Sequence, residues 1–248
     1  MNIEKKLHRR VGEAIRRFRL VEEGDHILVG ISGGKDSTSL AKILRDKQKY
    51  LPISFDVTAA HIVMDIFPRD DALLERIDTA FSRLDIPLKR RFVSVESRRR
   101  KGEKINCFFC AMMRRMAMIR LAKELGCNKI AYGHHMDDIV ETLLMNMFYK
   151  GEISTMPVRL ELDNHNIVII RPLSLAKESE VRAYAKRCGL EDIDGPPCEF
   201  GKDGRRARIK RLIGELSSEY KEIRNNLFTS LGRVKNDYLM VKSKEADE

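Results

Sequence analysis

Three clusters of residues in this 248-residue chain have the types and spacing to do chemistry. The first is Ser32-Gly33-Gly34-Lys35-Asp36-Ser37. Two glycines let the backbone turn tightly and aim its N–H groups at an anion, and a helix starting there adds its dipole. Lys35 supplies a point charge, and Ser32 and Ser37 supply hydroxyl donors. Asp36 stands where a Walker A motif needs Ser or Thr, and no G-x-G-x-x-G can be read, so neither of those nucleotide motifs is present. The competing reading is an ordinary glycine-rich turn.

The second cluster is Cys107-Phe108-Phe109-Cys110, with Cys198 far downstream after Pro196-Pro197. A C-x-x-C puts two thiolates about one helical turn apart, close enough to share a metal or react with each other. A structural zinc wants four ligands, and there is no second C-x-x-C. A redox dithiol would leave Cys198 unused. An iron–sulfur cluster on three cysteines would leave one iron open. Spacing alone does not choose. Cys127 and Cys188 read as structural. Five cysteines in a chain this long fit free thiols or ligands better than a disulfide framework.

The third cluster is Gly133-His134-His135-Met136-Asp137-Asp138. Gly133 permits close backbone approach to a nucleotide. A carboxylate here could bind Mg²⁺ or accept a proton, and His134 and His135 could contact phosphate or a base. The plainer reading makes the aspartates helix caps and the histidines packing.

Such clusters need a scaffold that gathers strand ends. Ile3, Leu7, Val11, Ile15 and Phe18 recur at helical spacing among basic residues, which predicts an amphipathic helix ended by Gly24. Apolar runs predict strands at 27–31, 57–64, 92–95, 129–132 and 167–170. Helical patterns follow the glycine loop and recur at 72–84, 111–125, 138–149 and 181–188. The alternation predicts an α/β fold: a five-stranded, mostly parallel sheet with helices on both faces and helical appendages at each end. The expected divisions are 1–24, a basic helix; 25–195, the catalytic body; and 196–248, a basic helical segment carrying Cys198. The glycine loop and the Gly133–Asp138 turn both fall at the carboxyl edge of the sheet, where such folds bind ligands.

The chain carries +10 overall. Residues 1–20, 89–104 and 202–211 carry +5, +6 and +5, so the remainder is −6. Three basic patches on a mildly acidic body point to a polyanion such as nucleic acid. No apolar run reaches the ~18 residues of a membrane-spanning helix, and the opening residues are polar, so a cytoplasmic protein without a membrane partner is expected.

Taken together the motifs resemble the tRNA thiolases of the TtcA/TtuA family, within the PP-loop ATP pyrophosphatases of the adenine-nucleotide alpha-hydrolase kind. The 2-thiocytidine-forming branch is the nearer match. The resemblance rests on the SGGKDS loop, the C-x-x-C leading into Arg114-Arg115, the Gly133–Asp138 turn, Asn146-Met147-Phe148-Tyr149, Arg171-Pro172-Leu173 and Pro197-Cys198, in that order. It runs from about residue 27 to 211. It implies that Ser32, Gly33, Gly34, Lys35, Asp36 and Ser37 clasp the pyrophosphate of ATP-Mg²⁺, and that the strand end Ala59-Ala60-His61-Ile62, through Ala59 and His61 above all, lines adenine and ribose. Gly133, His135 and Asp138 would complete the nucleotide site. It also implies that Cys107, Cys110 and Cys198 ligate a [4Fe-4S] cluster, with Arg114 beside it and Asp137 handling the target base. Zinc-binding cysteine pairs, usual in the TtuA branch, are absent from this sequence, and Glu199-Phe200-Gly201 stands where some members have a further cysteine.

The chemistry so implied is adenylation at C2 of a tRNA pyrimidine, with sulfur then replacing AMP. The partners would be tRNA and a sulfur donor such as a cysteine desulfurase or free sulfide, with homodimerisation left open. Alternatives are a lysidine-synthase-like PP-loop ligase, a persulfide thiolase without a cluster, and a non-enzymatic RNA-binding module.

Overall fold

A computed structural model describes residues 2–67, 70–95, 97, 107–190 and 204–239. The opening helix α1 (Ile3–Phe18) buries Leu7, Val11 and Ile15 of the expected stripe together with Ala14, and it ends at the left-handed Arg19 rather than at Gly24. Asn2 caps it by accepting the Glu4 N–H. Strand β1 (Asp25–Ile31) and helix α2 (Lys35–Lys47) flank the glycine loop. Next come β2 (Phe55–Met64), α3 (Asp71–Arg83), β3 (Leu88–Val93), α4 (Cys107–Glu124) and β4 (Lys129–Ala131). Helix α5 (Met136–Lys150), strands β5 (Arg159–Leu162) and β6 (Ile167–Ile170), and helix α6 (Glu178–Arg187) follow. The last helices are α7 (Arg205–Glu219) and α8 (Ile223–Ser230).

Among the described residues the sheet has six strands in the order β3-β2-β1-β4-β6-β5. Strands β1, β2, β3, β4 and β6 pair in parallel, while β5 pairs antiparallel to β6. The expected sheet had five strands, and β5 is the addition. Its sequence, Arg159-Leu160-Glu161-Leu162, has no continuous apolar run because it lies at an edge and is half solvated. Strand β3 likewise begins earlier than the apolar run at 92–95. It is the opposite edge, and its Lys89, Arg90 and Arg91 lie in the strand itself.

The chain divides into two compact units, Met1–Ile139 with Met156–Gly204, and Val140–Thr155 with Arg205–Glu248. In the first, one sheet face presents Leu28, Ala60, Ile62, Ile130 and Ile169 to Met118, Ile119 and Ala122 of α4. In the second, Val140 and Leu144 of α5 pack with Ile209 and Ile213 of α7. Helix α1 is pinned to α6 by Lys6–Glu180 at 2.8 Å, Arg10–Glu180 at 3.9 Å and Glu4–Arg187 at 3.3 Å. At the amino edge of the sheet, Lys129 is 2% exposed and pairs with Asp25 at 2.7 Å and Glu22 at 2.9 Å. No helix among the described residues is long and apolar enough to cross a membrane.

Candidate active site

The strand order reverses direction between β1 and β4, and in open parallel sheets that switch point is where ligands bind. A cavity of about 440 Å³ lies there. Ser32, Asp36 and Ser37 enter it from the loop, Ala60 and Ile62 from β2, and Arg114 and Arg115 from α4. Gly133, His134 and Asp138 enter from the β4–α5 turn, and Arg171 from the end of β6.

The loop is shaped by its own hydroxyls. The Ser37 hydroxyl donates to the Gly34 carbonyl at 2.9 Å and accepts the Ser32 N–H at 3.2 Å. Gly33 has φ +85°, a conformation that strains any residue with a Cβ. Gly34 is the N-cap of α2 and makes no side-chain cap hydrogen bond, so the positive end of the helix dipole faces the loop. An anion fits such a helix end. The Lys35 ammonium lies 3.1 Å from the Asp36 carboxylate.

Gly133 fixes the second wall. A Cβ there would lie 2.9 Å from the Asp36 carbonyl carbon and the Ser37 nitrogen, so turn and loop meet backbone to backbone. The two histidines separate cleanly. His135 accepts the Asp138 N–H at 3.4 Å, and the Asp138 carboxylate accepts the His135 N–H at 3.0 Å. That reciprocal pair is a capping box at the start of α5. His134 instead lines the cavity, and its Nδ1 accepts a hydrogen bond from Arg171 Nε at 3.3 Å. Arg171 is 8% exposed and also donates to the Pro157 carbonyl. Burial pushes its guanidinium down to about 10, which leaves it charged at neutral pH.

Several expected site residues do not reach this cavity. Side chains alternate across a strand, so with Ala60 and Ile62 facing the cavity, Ala59 and His61 face the other side of the sheet. His61 is 9% exposed, bonds the Ile31 carbonyl through Nδ1 at 2.8 Å, and has its pKa lowered by burial. Asp137, expected at the target base, is also turned away. Its Oδ2 accepts the Glu178 N–H at 2.7 Å, at the first turn of α6. Of the two adjacent carboxylates, the one in the cavity is Asp138. Gly33, Gly34 and Lys35 form the loop backbone without lining the cavity, and His135 stands behind it as a cap.

Of the cysteines, Cys107 opens α4 and Cys110 lies in its first turn, 7% exposed within the apolar cluster beside the sheet. Cys198 lies outside the described residues, as does the chain from 98 to 106 in the second basic patch. Among the described residues no group of three His, Cys, Asp or Glu side chains could hold a metal ion. Burial raises the Cys127 thiol to about 11 and also raises Cys188, in keeping with structural roles. Of Met112, Met113, Met116 and Met118, expected in a core or cluster shell, Met113 and Met118 are buried and Met112 is 41% exposed. Sequence reasoning gave no role to Arg171 and left His134 unseparated from His135. Of the strand end Ala59-Ala60-His61-Ile62 expected at the nucleotide, Ala60 and Ile62 line the cavity, a parity that packing decides.

A parallel α/β body with a glycine-rich anion loop at its switch point, and without a Walker lysine–serine pair, defines a nucleotide-binding protein of the PP-loop class. Residues 3–213 match the PP-loop domain family, and the chain belongs to that family. Within it the chain is similar to tRNA-cytidine(32) 2-sulfurtransferases. The protein of that name from Syntrophotalea carbinolica is 36% identical over 247 residues, covering 95% of this chain and 92% of that one. The protein from Anaeromyxobacter dehalogenans is 37% identical over 243 residues, covering 96% and 82%. Among solved structures, the U34-tRNA thiolase NcsA from Methanococcus maripaludis with its [4Fe-4S] cluster shares the fold, with a TM-score of 0.80 at 20% identity over 99% of this chain and 84% of that one.

Proposed function

We propose that this chain is an ATP-dependent tRNA 2-sulfurtransferase acting on C2 of a cytidine in the anticodon loop. The observation that carries this reading is the switch-point cavity, where an anion loop, two carboxylates and three arginines converge beside the helix that opens with the C-x-x-C. Ser32, Ser37 and the first-turn N–H groups of α2 hold the ATP phosphates, with Lys35 as the nearby cation. Asp138 and Asp36, the carboxylates that line the cavity, would hold Mg²⁺, hard oxygen ligands for a hard ion. The cytidine C2 oxygen attacks the α phosphorus, and the bond to the bridging oxygen breaks. Pyrophosphate leaves against the loop N–H groups and Arg114, Arg115 and Arg171. A sulfur nucleophile then adds at C2 and expels AMP, with no net redox change. Adenylation is needed because an amide-like oxygen is a poor leaving group.

Cys107, Cys110 and Cys198 would hold the [4Fe-4S] cluster, since soft thiolates suit iron–sulfur ligation and the one described side chain of the set, Cys110, is buried among apolar groups. When bound, that group supplies a Lewis-acidic carrier for sulfide. Arg114, about one turn along α4 from Cys110, would be the basic residue beside it. Asp137 acts as a positioning residue that joins α5 to α6. In this reading the body 25–195, with Cys198 from the last segment, does the chemistry, and the basic segments 1–24 and 196–248 hold RNA. The sulfur donor is a cysteine desulfurase or free sulfide, the protein works in the cytoplasm, and a homodimer is compatible with it.

The test is anaerobic purification with iron and labile-sulfide counts, then pyrophosphate release from ATP with and without tRNA. Mass spectrometry of nucleosides from a deletion strain completes it. Loss of 2-thiocytidine is expected. Unchanged 2-thiocytidine refutes the assignment, and a metal-free protein that still releases pyrophosphate favours a ligase.

A further inference from the structure

The smaller unit has a surface that the chemistry above does not use. At the end of α5, Phe148 is 57% and Tyr149 41% exposed, and Tyr220 is 56% and Tyr238 84% exposed further along. Tyr50, Phe92 and Phe108 are exposed in the larger unit too, but the smaller unit exposes four rings in far fewer residues. The rings lie among cations. Helix α7 opens with Arg205, Arg206, Arg208, Lys210 and Arg211, all exposed, with no acidic residue from 204 to 214. The Arg205 guanidinium stands over the Tyr149 ring at 5.2 Å, and the Lys235 ammonium over the Tyr238 ring at 5.5 Å.

We propose that Phe148 and Tyr149, with the arginine row of α7, form a stacking platform for unpaired RNA nucleotides. This rests on the tRNA reading and deepens it by naming where single-stranded bases are held. Two properties select RNA over a protein partner. Protein interfaces also favour arginine and aromatic residues, but not an uncompensated run of like charge, and here five exposed cations stand between 204 and 214 with no acidic residue. Single-stranded nucleic acid asks for this pairing: aromatic faces on which bases stack and cations that follow the backbone. The Arg205 guanidinium over the Tyr149 ring sets a cation beside an aromatic face.

The test uses the full chain and a fluorescent tRNA anticodon stem-loop, with 2-aminopurine in the loop and a fully paired RNA duplex as control. Phe148→Leu and Tyr149→Leu, both at exposed positions, should weaken stem-loop binding about tenfold each and relieve 2-aminopurine quenching. Duplex binding should change less than twofold. Arg208→Gln should weaken both RNAs and flatten the salt dependence. Thermal unfolding and light scattering check fold and oligomeric state. If wild type binds no RNA, the functional reading falls and the platform with it. If wild type binds but the ring variants match it, only the platform falls. If the ring variants convert a dimer to a monomer with RNA affinity intact, the occupant is a second copy of the chain and the proposal is overturned.

Discussion

Asp137 Oδ2 accepts the backbone N–H of Glu178 at 2.7 Å, a bond that ties the start of α5 to the first turn of α6 across 41 residues of chain. The Met136 N–H donates to the Ala176 carbonyl at 2.9 Å in the same seam. Asp138, one residue on, faces the cavity. Adjacent carboxylates therefore hold different jobs, because consecutive helical residues point about 100° apart.

The two can be separated by substitution. Asp137→Asn keeps an acceptor for Glu178 and should leave the rate of pyrophosphate release within about threefold of wild type. Asp137→Ala should lower stability by about 1 kcal/mol, the loss of one helix cap. Asp138→Asn should cut the rate by about 100-fold, the scale of a lost acid–base or metal-positioning group. Pyrophosphate-release kinetics beside melting curves decide it. A dead Asp137→Asn with an unchanged melting temperature would return Asp137 to the reacting base.

Gly133→Ala should damage ATP binding more than folding. Its Cβ would press on the Asp36 and Ser37 backbone at 2.9 Å, and backbone cannot swing aside as a side-chain tip can. The expected result is a loss of about 1–3 kcal/mol of stability and a raised KM for ATP, through displacement of the loop. An alanine variant with wild-type KM would show that the loop tolerates the shift.

Lys129 and Asp25 form a buried pair, 2% and 4% exposed in their side chains. Removing one partner strands a charge, so Lys129→Met should cost about 3–5 kcal/mol, and adding Asp25→Asn should restore part of it. Urea unfolding of the single and double variants measures the coupling. Fully additive losses would mean that the pair does not interact.

Glu180 gives the α1–α6 contact a pH dependence. Burial raises its pKa, but the Lys6 hydrogen bond, the Lys177 N–H and the charges of Lys6 and Arg10 outweigh it and hold the carboxyl below its usual 4.5. A carboxyl depressed in the folded state stabilises above its unfolded value and loses that contribution as pH falls through its folded value. Stability should thus decline as pH drops below 4.5. Glu180→Gln should be less stable at pH 7 and show a shallower acid decline. Parallel acid limbs in the two proteins, followed by melting temperature from pH 3 to 7, would remove Glu180 from the account.

Much of this was legible in the residues. The stripe Leu7, Val11 and Ile15 reads as a helix and is one. The glycine loop falls between a strand and a helix, as its type demands, and the Gly133–Asp138 turn stands beside it. Strand β5 was not legible, because an edge strand half in water needs no apolar run to hold its place.

Local chemistry sets which segments can bind an anion, hold thiolates or alternate as strand and helix, and all of that travels with the sequence. Which member of a neighbouring pair faces the ligand does not. Ala60 rather than Ala59, His134 rather than His135, and Asp138 rather than Asp137 line the cavity. A side chain's direction depends on the phase of its strand or helix against the elements packed on it. Those contacts, such as Arg171 on His134 and Glu178 on Asp137, come from residues about 40 positions away, and only folding brings them together.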